Sequence, residues 1–311
     1  MTLHILFIVL SLVLLIIGAE GLVRGSASLA IRGGLSPLMV GLTIVAFGTS
    51  APELVVSLKA GLIGQGDISI GNVVGSNSFN IGIILGLTAL ICPIPVHRQI
   101  IRIDAPIALG VALLMPWILA DGRLVRWEGA LLFAGIVGYT LFSYVIARKS
   151  TDSVSPDEVP GRSKHWLVDL AFILGGLALL VLGSRILVEH AIILAKTLGV
   201  SEAVIGLTII AAGTSMPELA TSVVAAIRKQ PDIAVGNVIG SNIFNILGIL
   251  GVTGLVAPLS APGVARLDLW IMIGFSCLLL PLLFTGRKLL RTEGGILLAA
   301  YGAYLWVLWP T

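Results

Sequence analysis

The chain has 311 residues, 57% of them hydrophobic and only 11% charged, with a formal net charge of +3. A soluble domain averages about 25% charged residues, so this composition excludes an ordinary cytosolic enzyme and a disordered chain. The Lys and Arg residues stand singly or in pairs, which leaves no basic stripe for nucleic acid.

What remains is an all-α, polytopic membrane protein. A helix needs about 20 apolar residues to cross roughly 30 Å of hydrocarbon. Ten stretches qualify: residues 3–23, 36–62, 67–91, 103–120, 125–147, 167–189, 201–227, 232–258, 267–285 and 291–309. The first is read as a span and not as a cleaved leader, because it has no basic n-region and no small-residue cleavage site.

The second stretch contains AFGTSAPE. Pro52 has no N–H, and its ring clashes with the Gly48 carbonyl. The helix is expected to open there and to free the carbonyls of Ala46 and its neighbours. Such groups are tolerated in lipid only when buried in protein or lining a cavity. Thr49 and Ser50 add hydroxyls one turn before Glu53. An unpaired carboxylate at mid-membrane costs at least about 2.5–3.5 kcal/mol. A protonated carboxyl, or a basic partner from another helix, is the alternative to a cation ligand. In the third stretch, GNVVGSNSFN puts Asn72, Ser76 and Asn80 on one helix face, with Asn77 pointing elsewhere. A polar, small-residue packing seam is the alternative there.

Residues 148–166 form the only long polar segment. It is too short for a folded domain and divides the chain into 1–147 and 167–311, with five stretches each. The second half repeats the first. Residues 41–94 and 206–259 align without a gap at an offset of 165, with 31 of 54 positions identical. AAGTSMPE supplies Ala211, Thr214, Ser215 and Glu218, while GNVIGSNIFN supplies Asn237, Ser241, Asn242 and Asn245. Five spans is an odd number, so the second half is expected to enter the membrane in the opposite sense. Such inverted repeats place ion sites near the midplane of many secondary transporters.

Other acids read as structural. Glu20 with Arg24, and Arg185 with Glu189, are spaced to neutralise each other on one helix. Asp67, Asp104, Asp121, Glu128, Asp232 and Asp268 fall near span ends, where a solvated interfacial role is expected. With the N-terminus outside, 13 Lys and Arg residues lie at inner ends and 6 at outer ends. The positive-inside rule therefore puts both termini outside and the linker in the cytoplasm. Cys92 and Cys277 form no motif, and the four histidines lie at span ends.

The donors in the repeats are carboxylate, hydroxyl, amide and carbonyl oxygens, which suit hard cations such as Ca²⁺ over zinc, copper or iron. Two ionised glutamates carry −2, which one divalent or two monovalent ions neutralise. An empty site of that charge is costly to move through a low-dielectric barrier, and this favours exchange of one load for another.

GTSAPEL with GNVVGSNSFN, repeated as GTSMPEL with GNVIGSNIFN, resembles the α-repeats of the sodium/calcium exchanger family, the calcium/cation antiporters. The likeness extends over nearly the whole chain and is closest to compact prokaryotic members. It implies a cation cluster of Glu53, Ser50, Thr49, the Ala46 carbonyl, Ser76 and Asn80. The matching set is Glu218, Ser215, Thr214, the Ala211 carbonyl, Ser241 and Asn245. It also implies that the first and sixth helices slide across this core to give alternating access. Some members carry Asp at one or both positions matching Asn80 and Asn245. Two Asn here weaken the case for a potassium-dependent exchanger.

The expected function is sodium/calcium antiport in a cell (cytoplasmic or inner) membrane, with Ca²⁺ and Na⁺ as transported ions, no cofactor and no obligate protein partner. Calcium/proton exchange, or potassium-dependent sodium/calcium exchange, is the alternative. An intramembrane hydrolase sharing a proton between two carboxyls and a passive channel are readings of other classes.

Overall fold

A computed structural model describes residues 2–149, 165–198, 211–263 and 266–308. Most of the polar linker and the first half of the seventh stretch lie outside the described residues.

Helix α1 runs Thr2–Gly33, and α7 runs Trp166–Thr197, each of 32 residues. At 1.5 Å per residue such a helix is about 48 Å long, so both extend well past a bilayer core. The stretches 3–23 and 167–189 were bounded by hydrocarbon thickness and therefore end too early. The second stretch is two helices, α2 (Pro37–Thr49) and α3 (Ala51–Leu62), bent by 47°. Then come α4 (Gly66–Ile91), α5 (Ile100–Ile118) and α6 (Arg126–Lys149). The second half holds α8 (Ala211–Thr214), α9 (Met216–Ile227), α10 (Pro231–Val256), α11 (Arg266–Phe284) and α12 (Arg291–Leu308).

Among the described residues seven helices are long and apolar enough to cross a membrane, or eight when α2 and α3 count as one broken span. Helix α9 has 12 residues, like α3, because it starts only after the break at Ser215. Helix α12 opens on Arg291 and Glu293 and is diluted by Gly and Tyr.

The polarity is that of a multi-pass membrane protein. Leu6, Val55, Leu131, Leu141 and Leu174 are exposed, whereas Glu53, Glu218, Asn237 and Ser241 are buried. Helices α4 and α10 form the centre: 72% and 94% of their spanning windows are buried, against 22% for α1 and α6. Close approach explains part of this. A Cβ on Gly240 of α10 would lie 2.5 Å from the Leu42 carbonyl oxygen and 2.8 Å from the Ala46 Cβ.

Helices α1 and α7 pack along a seam of small residues. A Cβ on Gly18 would stand 2.8 Å from the Gly176 carbonyl oxygen, and one on Gly176 2.6 Å from that of Gly18. Near the Gly33 end of α1, Arg32 pairs with the buried Asp169 at 2.6 Å. Near the other end, the Nδ1 atoms of His4 and His190 lie 3.0 Å apart.

Two short sheets join the halves. Strand β1 (Ile94–Pro95) pairs antiparallel with β4 (Lys288–Leu289), and β2 (Arg123–Leu124) with β3 (Leu259–Ser260). The repeat offset of 165 exchanges the two pairings: Ile94 corresponds to Leu259, and its partner Leu289 corresponds to Leu124.

Several interfacial acids are placed differently from expectation. Asp104 is fully buried: Tyr139 donates to it at 3.0 Å and Gln99 at 3.2 Å. Helix α5 starts before the assigned 103, at Ile100, so Asp104 faces α6 and not solvent. Asp67 remains exposed but accepts the Gly263 N–H at 2.8 Å. Glu20 is 4.0 Å from Arg24 and bonds more closely to Arg228 of the second half, at 2.7 Å. Among the described residues no ion pair joins Arg185 to Glu189. For Glu20 the spacing along one helix left out a neighbour from another helix.

Candidate cation site

Each half contributes a broken helix. Ser50 leaves helical geometry at φ −81°, ψ 7°, and Ser215 does so at φ −89°, ψ 8°. Helix resumes one residue later with Pro52 or Pro217 in its first turn, where a missing N–H costs nothing. The break therefore falls two residues before each proline. The Ala46 carbonyl is not freed as expected: it still accepts the Ser50 N–H at 3.0 Å and the Thr49 hydroxyl at 3.4 Å. In the second half the Ser215 N–H turns to the Ala212 carbonyl at 3.2 Å. Ala211 opens its described segment, and its side chain is outside the description.

Both glutamates sit in the first turn after the break, each 1% exposed. Their partners come from the opposite half. Ser50 Oγ donates to Glu218 Oε1 at 2.8 Å, and Ser215 Oγ donates to Glu53 Oε1 at 2.9 Å. The Thr214 side chain lies beside the Glu53 carboxylate, and that of Thr49 beside the Glu218 carboxylate. Ser215 meets Ser76 Oγ at 3.3 Å. The broken helices thus cross at their polar turns, and every one of these contacts joins residues far apart in sequence.

Helices α4 and α10 supply the amides. Each turns π-helical there, over Asn80–Leu85 and Phe244–Ile249, a widening frequent at functional sites. Asn80 Nδ2 donates to Asn242 Oδ1 at 2.9 Å, and Asn245 Nδ2 donates to Asn77 Oδ1 at 3.0 Å. Asn77 and Asn242 do not point elsewhere; they reach across the helix crossing to the facing repeat. Asn72 and Asn237 brace the glutamate backbones. Asn72 Nδ2 donates to the Glu53 carbonyl at 3.3 Å and to Ser57 Oγ at 2.9 Å. Asn237 does the same to the Glu218 carbonyl at 3.3 Å and Ser222 Oγ at 3.1 Å, and accepts from Thr49 at 3.0 Å. Ser57 and Ser222 went unnoticed in the sequence; their spacing of four from Glu53 and Glu218 was the available signal.

Among the expected site residues five buried oxygens have no partner: Glu53 Oε2, Glu218 Oε2, Asn80 Oδ1, Asn245 Oδ1 and Ser241 Oγ. Buried polar atoms are normally hydrogen-bonded, so a set of unpartnered acceptors is costly unless something else fills it. All are hard oxygen donors. Of the twelve expected site residues, hydrogen bonds engage nine: Glu53, Ser50, Thr49, Ala46, Ser76, Ser215, Glu218, Asn80 and Asn245, the last two in the adjoining amide group; Thr214 lies beside the Glu53 carboxylate. Ser241 is buried without a partner, and Ala211 is undescribed beyond its backbone.

Known proteins share this architecture. The family model for the sodium/calcium exchanger protein matches residues 3–145 and 168–309. The sodium/calcium exchanger MaX1 of Methanosarcina acetivorans is 34% identical over 99% of both chains. The inner membrane protein YrbG of Escherichia coli is 39% identical over 81% of this chain and 79% of its own. A solved structure of the sodium-calcium exchanger NCX_Mj, soaked with Na⁺ and Ca²⁺, superposes with a TM-score of 0.84 at 31% identity over 99% of both chains. With its two matched repeats and paired carboxylates, this chain belongs to the sodium/calcium exchanger protein family.

Proposed function

We propose that the protein exchanges Na⁺ for Ca²⁺ across an inner or cytoplasmic membrane, by ten spans arranged as two inverted five-helix units, 1–147 and 167–311, around one central cation site. Both termini lie outside and the 148–166 linker inside. The two short sheets, related by the repeat offset of 165, support the inverted pairing.

The observation that carries this reading is the reciprocal bond of each serine to the other half's glutamate, with one oxygen of each carboxylate left over. Glu53 and Glu218 supply the charge that attracts cations. Ser50, Thr49, Ser215, Thr214, Ser76, Ser241, Asn80, Asn245 and the Ala46 and Ala211 carbonyls supply neutral oxygens. Ca²⁺ takes about six to eight such ligands, and the five unpartnered atoms are the core of that set. One Ca²⁺ offsets the −2 charge, and so do two Na⁺. An empty site keeps two desolvated anions close together, a state penalised in a dry interior. The loaded forms are the ones able to change sides, which makes transport an exchange. No cofactor and no chemical reaction enter this cycle.

The test is uptake of radiolabelled Ca²⁺ into proteoliposomes. Uptake is expected with Na⁺ trapped inside and to vanish when the Na⁺ gradient is removed. Uptake that ignores Na⁺ and follows a pH gradient would show a calcium/proton exchanger instead.

A further inference from the structure

Donor and acceptor identity runs through the amide group in one direction only. The main-chain carbonyl of Asn242 can only accept, and Asn77 Nδ2 donates to it at 3.2 Å. Asn77 must therefore turn Oδ1 the other way, and there it accepts from Asn245 Nδ2 at 3.0 Å. Asn245 in turn is left with Oδ1, which has no protein partner. The mirror chain has the same sense. Asn242 Nδ2 donates to the Asn77 carbonyl at 3.4 Å, its Oδ1 accepts from Asn80 Nδ2 at 2.9 Å, and Asn80 Oδ1 is unpartnered. All four side chains are buried, none above 4% exposed. No solvent competes to reverse them.

We propose that Asn77 and Asn242 are positioning residues, which fix the amides of Asn245 and Asn80 with oxygen, and not NH₂, facing the cation. The proposal rests on the central site described above and adds residues outside its ligand set. An unanchored amide can rotate by half a turn and present its two donors. The positive end would then face the cation and remove one ligand from the coordination sphere. Anchoring each amide to a backbone carbonyl on the opposite repeat prevents this: reversing Asn245 alone sets its oxygen against Asn77 Oδ1, and reversing Asn77 with it sets Oδ1 against the Asn242 carbonyl. The anchor also ties the polarity of each half's ligand to the backbone of the other half.

The test is a double-mutant cycle read as the KM for Ca²⁺ in Na⁺-driven uptake by the full-length protein. Asn77→Ala is expected to raise KM about tenfold, equivalent to about 1.4 kcal/mol. Asn245→Asp presents oxygen in either orientation, so adding Asn77→Ala to it is expected to leave KM unchanged or to lower it. A role limited to packing would raise KM by the same factor in both backgrounds and would overturn the proposal, as would an unchanged KM in Asn77→Ala. Asn242→Ala with and without Asn80→Asp repeats the cycle from the mirror side, should the first pair fail to fold. If Asn245→Asp and Asn80→Asp both left KM and the Na⁺ dependence untouched, the central site would itself be wrong; a normal response there with additive effects would reject only the positioning role.

Discussion

Glu53 and Glu218 each make one strong bond to a serine and leave one oxygen unpartnered. Glu53→Gln or Glu218→Gln keeps shape and bonding capacity but removes a charge from the cluster. Either change is expected to cut exchange at least about a hundredfold, because removing one partner from a buried carboxylate–cation pair costs roughly 3–5 kcal/mol. The proteins should remain folded by size-exclusion chromatography, and near wild-type uptake in both would remove the site. Asp104 presents the opposite case, a buried acid used for structure. Tyr139→Phe leaves its Oδ1 without the 3.0 Å donor, and an unsatisfied buried acceptor costs about 1–3 kcal/mol. Lower thermal stability with retained Na⁺/Ca²⁺ exchange is the expected result; lost exchange at unchanged stability would place Asp104 in the transport path.

At the level of elements, the small-residue seams decide which helices can approach. Gly240 lets α10 reach α2 where a Cβ would meet the Leu42 carbonyl oxygen at 2.5 Å. Gly240→Ala is expected to push α2 away and lower the apparent Ca²⁺ affinity, since Ala46 and Thr49 ride on α2 while Ser241 rides on α10. Affinity measured by calorimetry checks this, and an unaltered value would mean the seam relaxes without moving the ligands. Gly18 and Gly176 serve α1 and α7 in the same manner, and the Arg32–Asp169 pair ties that couple near one end. Two helices joined in this way are suited to moving as one body over the rest.

For the molecule as a whole, the proposed inverted arrangement has a direct consequence. Arg123 and Lys288 occupy matching positions at the offset of 165, and both are exposed in short strands. Single cysteines at these two places, in a chain freed of Cys92 and Cys277, are expected to react with a membrane-impermeant thiol reagent from opposite sides of the membrane. Labelling from the same side would contradict the inverted repeat. The positive-inside count further predicts that Arg123→Cys is reached from outside and Lys288→Cys from the cytoplasm.

Composition pointed to a helical membrane protein, and the duplicated motifs carried the family resemblance and the candidate glutamates, since buried acids within duplicated polar strings have few other uses. The glutamates, Ser50 and Ser215 were legible because polar atoms in lipid demand a reason. The tertiary structure alone decided who partners whom. It crossed each serine to the other half's acid, turned Asn77 and Asn242 into the facing repeat, buried Asp104 against Tyr139 and moved Glu20 to Arg228. Periodicity reports only which side of a helix a residue occupies. Hydrogen bonds between distant segments depend on how helices cross, and that is set by packing over the whole molecule.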